Sequence, residues 1–255
     1  MRQYIITAAT GLVTACLAGG CAASVQQPPA VIGSVTQRPV TSISASVGVT
    51  TGAAGNAGLS SSQLNAAITA ATAQATALEV TGTLTSASTP LAVDAHLNSN
   101  GPSSGTLGFE GASIPFVSTG DVDYFQLTTS FMAWVKLTDP AAKGKWVTST
   151  SSYGETAVTL FSPFLTLKSF LSDGLAGSGD TFTYQGPQQF ASQQVAVYQE
   201  QSGTGQRYDY DFPAVGAALP LRASGGDSDN SEDFDFAWNQ PTTAVVPPGS
   251  EIYTG

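Results

Sequence analysis

The chain has little charge and almost no cysteine or histidine. Its two cysteines, Cys16 and Cys21, fall within the first 21 residues, and the remaining 234 contain none. No disulfide can therefore hold the body of the protein, although an exported chain would be free to form one. One histidine, His96, and no cysteine in the body leave too few ligands for a zinc site. No Gly-x-Ser-x-Gly elbow occurs, which argues against a serine hydrolase of the common kind. No glycine-rich loop follows a strand and opens a helix; Gly174–Gly179 leads into a strand pattern instead. Eight basic residues face eighteen acidic ones, for a formal charge of −10. That balance argues against nucleic acid or anionic headgroups held by bulk electrostatics. Only 10% of residues are charged, so the surface must rely on Ser, Thr, Gln, Asn and Gly.

What the chain does have begins with an export signal. Arg2 is the only charge ahead of an apolar or small-residue run, Tyr4–Ala18, that is too short to span a bilayer stably. Each cysteine ends a run resembling a bacterial lipobox: Leu12-Val13-Thr14-Ala15-Cys16 and Leu17-Ala18-Gly19-Gly20-Cys21. In such proteins the cysteine receives a diacylglycerol and becomes the mature N-terminus. Cys21 leaves the longer apolar region and is followed by Ala-Ala-Ser; Cys16 fits the small-residue pattern equally well. Residues 1–20 thus read as a lipoprotein signal peptide. Residues 21–58, rich in Ala, Ser, Thr, Gly, Val and Pro, read as a flexible tether with a reach of roughly 35 Å. Within it, Val31–Val49 has some β-propensity and is a candidate edge strand.

The domain is expected over 59–248, followed by a loose tail at 249–255. Ser60 caps a helix carrying Leu64, Ala67, Ile68, Ala71, Ala75 and Leu78 at helical spacing, ending near Glu79. A meander then runs through Leu127. Leu91, Val93, Ala95 and Leu97 alternate with Asp94, His96 and Asn98, which is the period of a strand with one buried and one wet face. Leu107/Phe109, Ile114/Phe116 and Val122/Tyr124 repeat it, with turns expected at Ser88-Thr89-Pro90, Asn98–Gly101, Gly111 and Ser118–Gly120. Glu155–Leu175 is apolar over most of its girth and must be buried, broken into two pieces at Pro163. Strands return after it, with a turn expected at Gly186-Pro187 and strict alternation in Tyr208–Phe212 and Phe234–Trp238. Asp227–Asp233 superficially resembles a calcium loop but lacks its central glycine and distant glutamate, so a solvated hairpin turn fits better. Helix, strands, helices, strands is the order of an α+β fold: one large antiparallel sheet with helices on one face.

Several segments resemble the LppX/LprAFG lipoproteins of mycobacteria and their relatives. They are the helix Ser60–Leu78 running into Val80-Thr81-Gly82-Thr83-Leu84, Asp121-Val122-Asp123-Tyr124-Phe125-Gln126, and Gly144-Lys145-Trp146-Val147. The ending Phe236-Ala237-Trp238-Asn239-Gln240-Pro241 followed by Val245-Val246-Pro247-Pro248 carries it furthest. The long tether, the scarcity of lysine and the acidic turn depart from that pattern. The resemblance implies a LolA/LolB-like half-barrel: a strongly curved sheet whose concave face takes the helices and leaves an apolar cavity for acyl chains. It also implies a non-catalytic lipid or lipoglycan carrier without cofactor. Such a carrier is anchored to the outer face of the cell membrane by its diacylglyceryl cysteine and served by an envelope transporter as partner. The expected cavity lining is Leu84, Val93, Leu97, Leu107, Phe109, Ile114 and Phe116 from the meander, with Leu160, Phe164 and Leu167 from the helix. Core packing and cavity lining use the same residue types, so a filled core in an envelope scaffold or sensor with a protein partner is the alternative. An enzyme has no constellation of residues behind it.

Overall fold

Two β-meanders meet along one central strand pair. The computed structural model describes residues 55–173, 175, 181–201, 205–227, 229–240 and 242–255. Helix α1 (Ser61–Thr72) comes first, with Ser60 and Gln63 forming a reciprocal capping box. The first meander is β1 (Ala77–Ser86), β2 (Thr89–Asn98), β3 (Ser103–Phe109), β4 (Ala112–Ser118) and β5 (Asp123–Gln126). Helix α2 (Thr129–Trp134), capped by Thr128, and β6 (Trp146–Thr148) follow. Then come α3 (Ser152–Phe161), a 3-10 turn at Ser162–Phe164 and α4 (Leu167–Asp173). The second meander is β7 (Thr181–Phe190), β8 (Gln193–Gln201), β9 (Arg207–Pro213), β10 (Arg222–Gly226) and β11 (Ser231–Trp238). All eleven strands form one sheet, ordered β6-β5-β4-β3-β2-β1-β11-β10-β9-β8-β7, with every pairing between named strands antiparallel. The sheet is not closed, and the expected α+β half-barrel is the observed architecture.

Period two decides which face is inside. Leu91, Val93, Ala95 and Leu97 are all buried, as are Leu107, Phe109, Ile114, Phe116, Phe234 and Phe236, and these residues belong to one continuous core. Two glycines let the sheet coil where side chains would collide. Gly82 has φ 151°, and a Cβ there would stand 2.0 Å from the Asp233 carbonyl oxygen and 2.8 Å from the Phe234 ring. A Cβ on Gly105 would meet the Phe116 ring at 2.8 Å.

β6 and β7 are the two outer edges of the sheet, so the chain between them crosses the whole apolar face. Ring contacts mark the path. Phe161 of α3 lies against Phe109 of β3, Phe164 against Phe234, and Phe170 of α4 against Phe236, with centroids 5.9–6.0 Å apart. Pro163 breaks this crossing, as expected, into short helices joined by a 3-10 turn.

Five sequence expectations shift. α1 stops at Thr72, and Leu78 is already a strand residue paired with Leu97 and Trp238. The first turn is Ala87-Ser88, and Thr89-Pro90 belong to β2. Gly186-Pro187 is a bulge inside β7 and no turn. An edge strand tolerates that, because a proline facing outward removes no ladder hydrogen bond. The tail is docked: Ile252 bridges Trp146, the Tyr253 N–H donates to the Trp146 carbonyl at 2.8 Å, and its hydroxyl donates to Asp139 at 2.8 Å. Packing also reaches back before residue 59. Asn56 is 3% exposed and donates to the Pro213 carbonyl at 2.8 Å. The signal peptide, both lipobox cysteines and the candidate strand Val31–Val49 lie outside the described residues.

Candidate functional site

The seven expected strand residues face one side of the sheet, and Leu160, Phe164 and Leu167 of the crossing join the same core. Val93, Leu97, Leu107, Phe109, Ile114, Phe116, Leu160, Phe164 and Leu167 are buried in the common core, and Leu84 packs against it half-buried. They do not share one space. Leu84, Phe109 and Leu160 border a cavity of about 30 Å³, together with Ser86, Thr89, Leu91 and Phe161. It sits between the β1–β2 hairpin, β3 and the C-terminal end of α3. Leu167 borders a larger open groove of about 870 Å³ at the opposite end of the strands. Val93, Leu97, Leu107, Ile114, Phe116 and Phe164 border neither space and pack on other core residues.

The two spaces differ in chemistry. The groove is walled by the β2–β3 and β4–β5 turns and by α4. Seven of its lining residues carry hydroxyls, Ser99, Ser103, Ser118, Thr119, Thr166, Ser169 and Ser172, beside Asn98 and Lys168, and its lining contains no carboxylate. Several of these groups already have partners. Ser103 Oγ accepts from the Asn98 N–H at 3.0 Å, Ser118 donates to Asp123 at 2.6 Å, and Thr166 donates to Ser169 at 2.8 Å. The cavity is apolar except for Ser86 and Thr89, which face each other as the last and first residues of β1 and β2. Neither residue is among the expected lining, and the turn expected at Ser88-Thr89-Pro90 leaves Thr89 outside its strand. Extending the period from Leu84 to Ser86, and from Leu91 back to Thr89, would have found them.

The outer face is wet and acidic. Arg222 of β10 stands between Asp211 of β9 and Asp235 of β11 and donates to Asp233 at 2.8 Å. Burial pushes the Asp211 and Asp235 carboxyls above the usual range, against the pull of Arg222. His96 is on this face, with Nδ1 3.9 Å from Glu79 and Nε2 4.0 Å from Asp94. The acidic segment near Asp227 forms the β10–β11 hairpin turn. Asp227 Oδ1 accepts from the Asp229 and Asn230 N–H groups at 2.9 and 2.8 Å, which holds its carboxyl below the usual range. Among the described residues no group of three or more His, Cys, Asp or Glu side chains is placed to hold a metal ion, and no helix is long and apolar enough to cross a membrane.

No family model and no curated protein matches the chain. Among solved structures it is similar to the Mycobacterium tuberculosis lipoprotein LppX, at 14% identity and a TM-score of 0.47, over 71% of this chain and 95% of that one. It is similar to LprF from Mycobacterium bovis at 15% identity and a TM-score of 0.48, over 74% of this chain and 97% of that one. A weaker likeness is to the Pseudomonas aeruginosa MucA/MucB complex, at 14% identity and a TM-score of 0.33, over 76% of this chain and 61% of that one. The names LppX and LprF are those of the group that the sequence resembles; the fold assignment itself rests on the strand register of this chain.

Proposed function

We propose that this protein is a membrane-anchored envelope lipoprotein that binds acylated lipids or lipoglycans, without catalysis, between its sheet and the α3–α4 crossing. One observation carries the reading. An open sheet of eleven strands keeps a continuous apolar face, and across its middle that face is covered by two short helices broken at Pro163. Phe161, Phe164 and Phe170 fill the space that a hydrocarbon chain would take. Displacing them by acyl chain exchanges one apolar contact for another, and each methylene removed from water contributes about 0.8 kcal/mol. A long chain can therefore be held with little polar chemistry. Cys21, with Cys16 as the alternative, supplies the diacylglyceryl anchor, and the tether lifts the domain from the membrane toward a donor or acceptor such as an envelope transporter.

The buried side chains of sheet and crossing form one continuous core, and that favours one second reading: a scaffold or sensor whose core takes no ligand and whose partner is a protein. Native mass spectrometry of the purified chain separates the two. Co-purified species with the mass of acylated lipid, removed on delipidation and regained from liposomes, are expected. A chain that never carries or takes up lipid leaves the scaffold in place of the carrier.

A further inference from the structure

Resting on the acyl-lipid reading above, we infer that Ser86, with Thr89 across the hairpin, is the contact that holds the ester carbonyl of the bound ligand. Ser86 is 7% exposed, and its Oγ has no hydrogen-bond partner among the described residues. It lies on the inward side of β1, where Leu78, Val80 and Leu84 are apolar. A hydroxyl taken out of water without a partner is destabilising, and a position that served packing alone would be better filled by a small apolar side chain. Ser86 lines the cavity of about 30 Å³, whose remaining lining apart from Thr89 is apolar, and its Oγ is itself buried beside it.

The size and lining choose the ligand group. The space is comparable to the share of one water molecule, or of a carbonyl with its ester oxygen, and is too small for an acyl chain. A buried water typically makes about three hydrogen bonds, and this cavity offers two hydroxyls against apolar walls. A carboxylate would be buried there with no cation in the lining, at high cost. A neutral ester carbonyl needs one or two donors and tolerates apolar neighbours. The hydrocarbon beyond it then takes the place of Phe161, Phe164 and Phe170 between the sheet and the crossing, as proposed above.

The hairpin that carries both hydroxyls is held rigidly. Ala87 and Ser88 have φ of 47° and 63°, in the left-handed region where glycine or asparagine is usual. The β10–β11 turn clamps them there. Asp229 accepts the Ser88 N–H at 2.9 Å and the Ser88 hydroxyl at 3.1 Å, and Asn230 Oδ1 accepts the Ala87 N–H at 3.2 Å. Strain held in place by neighbouring structure preorganises the pair of hydroxyls. The groove at the other end contrasts with this, since its Ser103, Ser118 and Thr166 hydroxyls already have partners.

The test uses the full delipidated chain and two fluorescent polyenes, methyl parinarate, which carries an ester, and diphenylhexatriene, which carries no oxygen. Ser86→Ala should weaken methyl parinarate binding about fivefold, the worth of one hydrogen bond. It should leave diphenylhexatriene unchanged and should not lower the ligand-free Tm. Ser86→Thr should restore most of the ester affinity. The inference is overturned if Ser86→Ala affects both probes equally or neither, or if it lowers the ligand-free Tm, which would mark the hydroxyl as structural. Binding of diphenylhexatriene alone by the parent overturns the ester contact and leaves the apolar carrier standing. Binding of neither probe overturns both.

Discussion

Tyr198 fastens the entry of the chain from inside the sheet. It is fully buried; its hydroxyl donates to the Asn56 carbonyl at 2.6 Å and accepts from the Leu59 N–H at 2.7 Å. Burial raises its pKa above the ordinary phenol value, so at neutral pH it acts as donor and acceptor together. Tyr198→Phe keeps the ring and orphans two backbone groups, and should cost about 1–3 kcal/mol in denaturant unfolding. A change near zero would mean that water replaces the hydroxyl. No side-chain periodicity marks such a residue, because Tyr198 alternates in β8 like any core aromatic. At the other end of the tether, one thioether-linked diacylglycerol supplies most of the proposed membrane affinity. Cys21→Ala should move the protein from the membrane to the soluble exported fraction, and Cys16→Ala should leave it bound. The reverse result transfers the anchor to Cys16.

At the scale of elements, the β9–β10–β11 triplet sets five carboxylates, Asp209, Asp211, Glu232, Asp233 and Asp235, against two arginines, Arg207 and Arg222. The raised pKa of Asp211 means that the folded protein binds this proton more tightly than the unfolded chain does. Its contribution to stability is therefore fully present below the unfolded value of 3.8 and is lost as pH rises through the folded one. At neutral pH the ionised carboxyl is a liability, since desolvation outweighs the attraction of Arg222, which retains Asp233. Asp211→Asn should raise Tm at pH 7, and the gain should vanish at about pH 3, where the parent is already protonated. Equal Tm differences at both pH values would place the effect in packing. β9 and β11 were legible from Tyr208–Phe212 and Phe234–Trp238, because alternation is a local property, whereas β10 lies at Arg222–Gly226, later than a strand read at Leu219–Ala223. The charge row across the three was not legible, because Asp211, Arg222 and Asp235 become neighbours only through register.

At the scale of the molecule, the interior divides into packed core and bordered space, and the two should respond differently to truncation. Phe116 is 1% exposed and borders neither space, so Phe116→Ala should cost about 3–5 kcal/mol in the delipidated chain. Leu84 is half-buried at the cavity, and Leu84→Ala should cost clearly less while lowering lipid uptake. Urea unfolding of delipidated protein makes the comparison, because bound ligand raises apparent stability. Equal costs would indicate a core filled throughout. Which side chains face inward, where Pro163 breaks the crossing, and the excess of strands over helices could all be read from the amino acids alone, because each follows from the period and punctuation of a short stretch of chain. The packing of the whole chain places β1 beside β11, makes β6 and β7 the two edges, and sends the α3–α4 crossing over the apolar face. It alone also put Ser86 and Thr89 against a cavity while Val93 and Ile114 joined the buried core cluster. Strand order and gaps in packing depend on how the whole chain fills its volume, and no residue type carries that information locally.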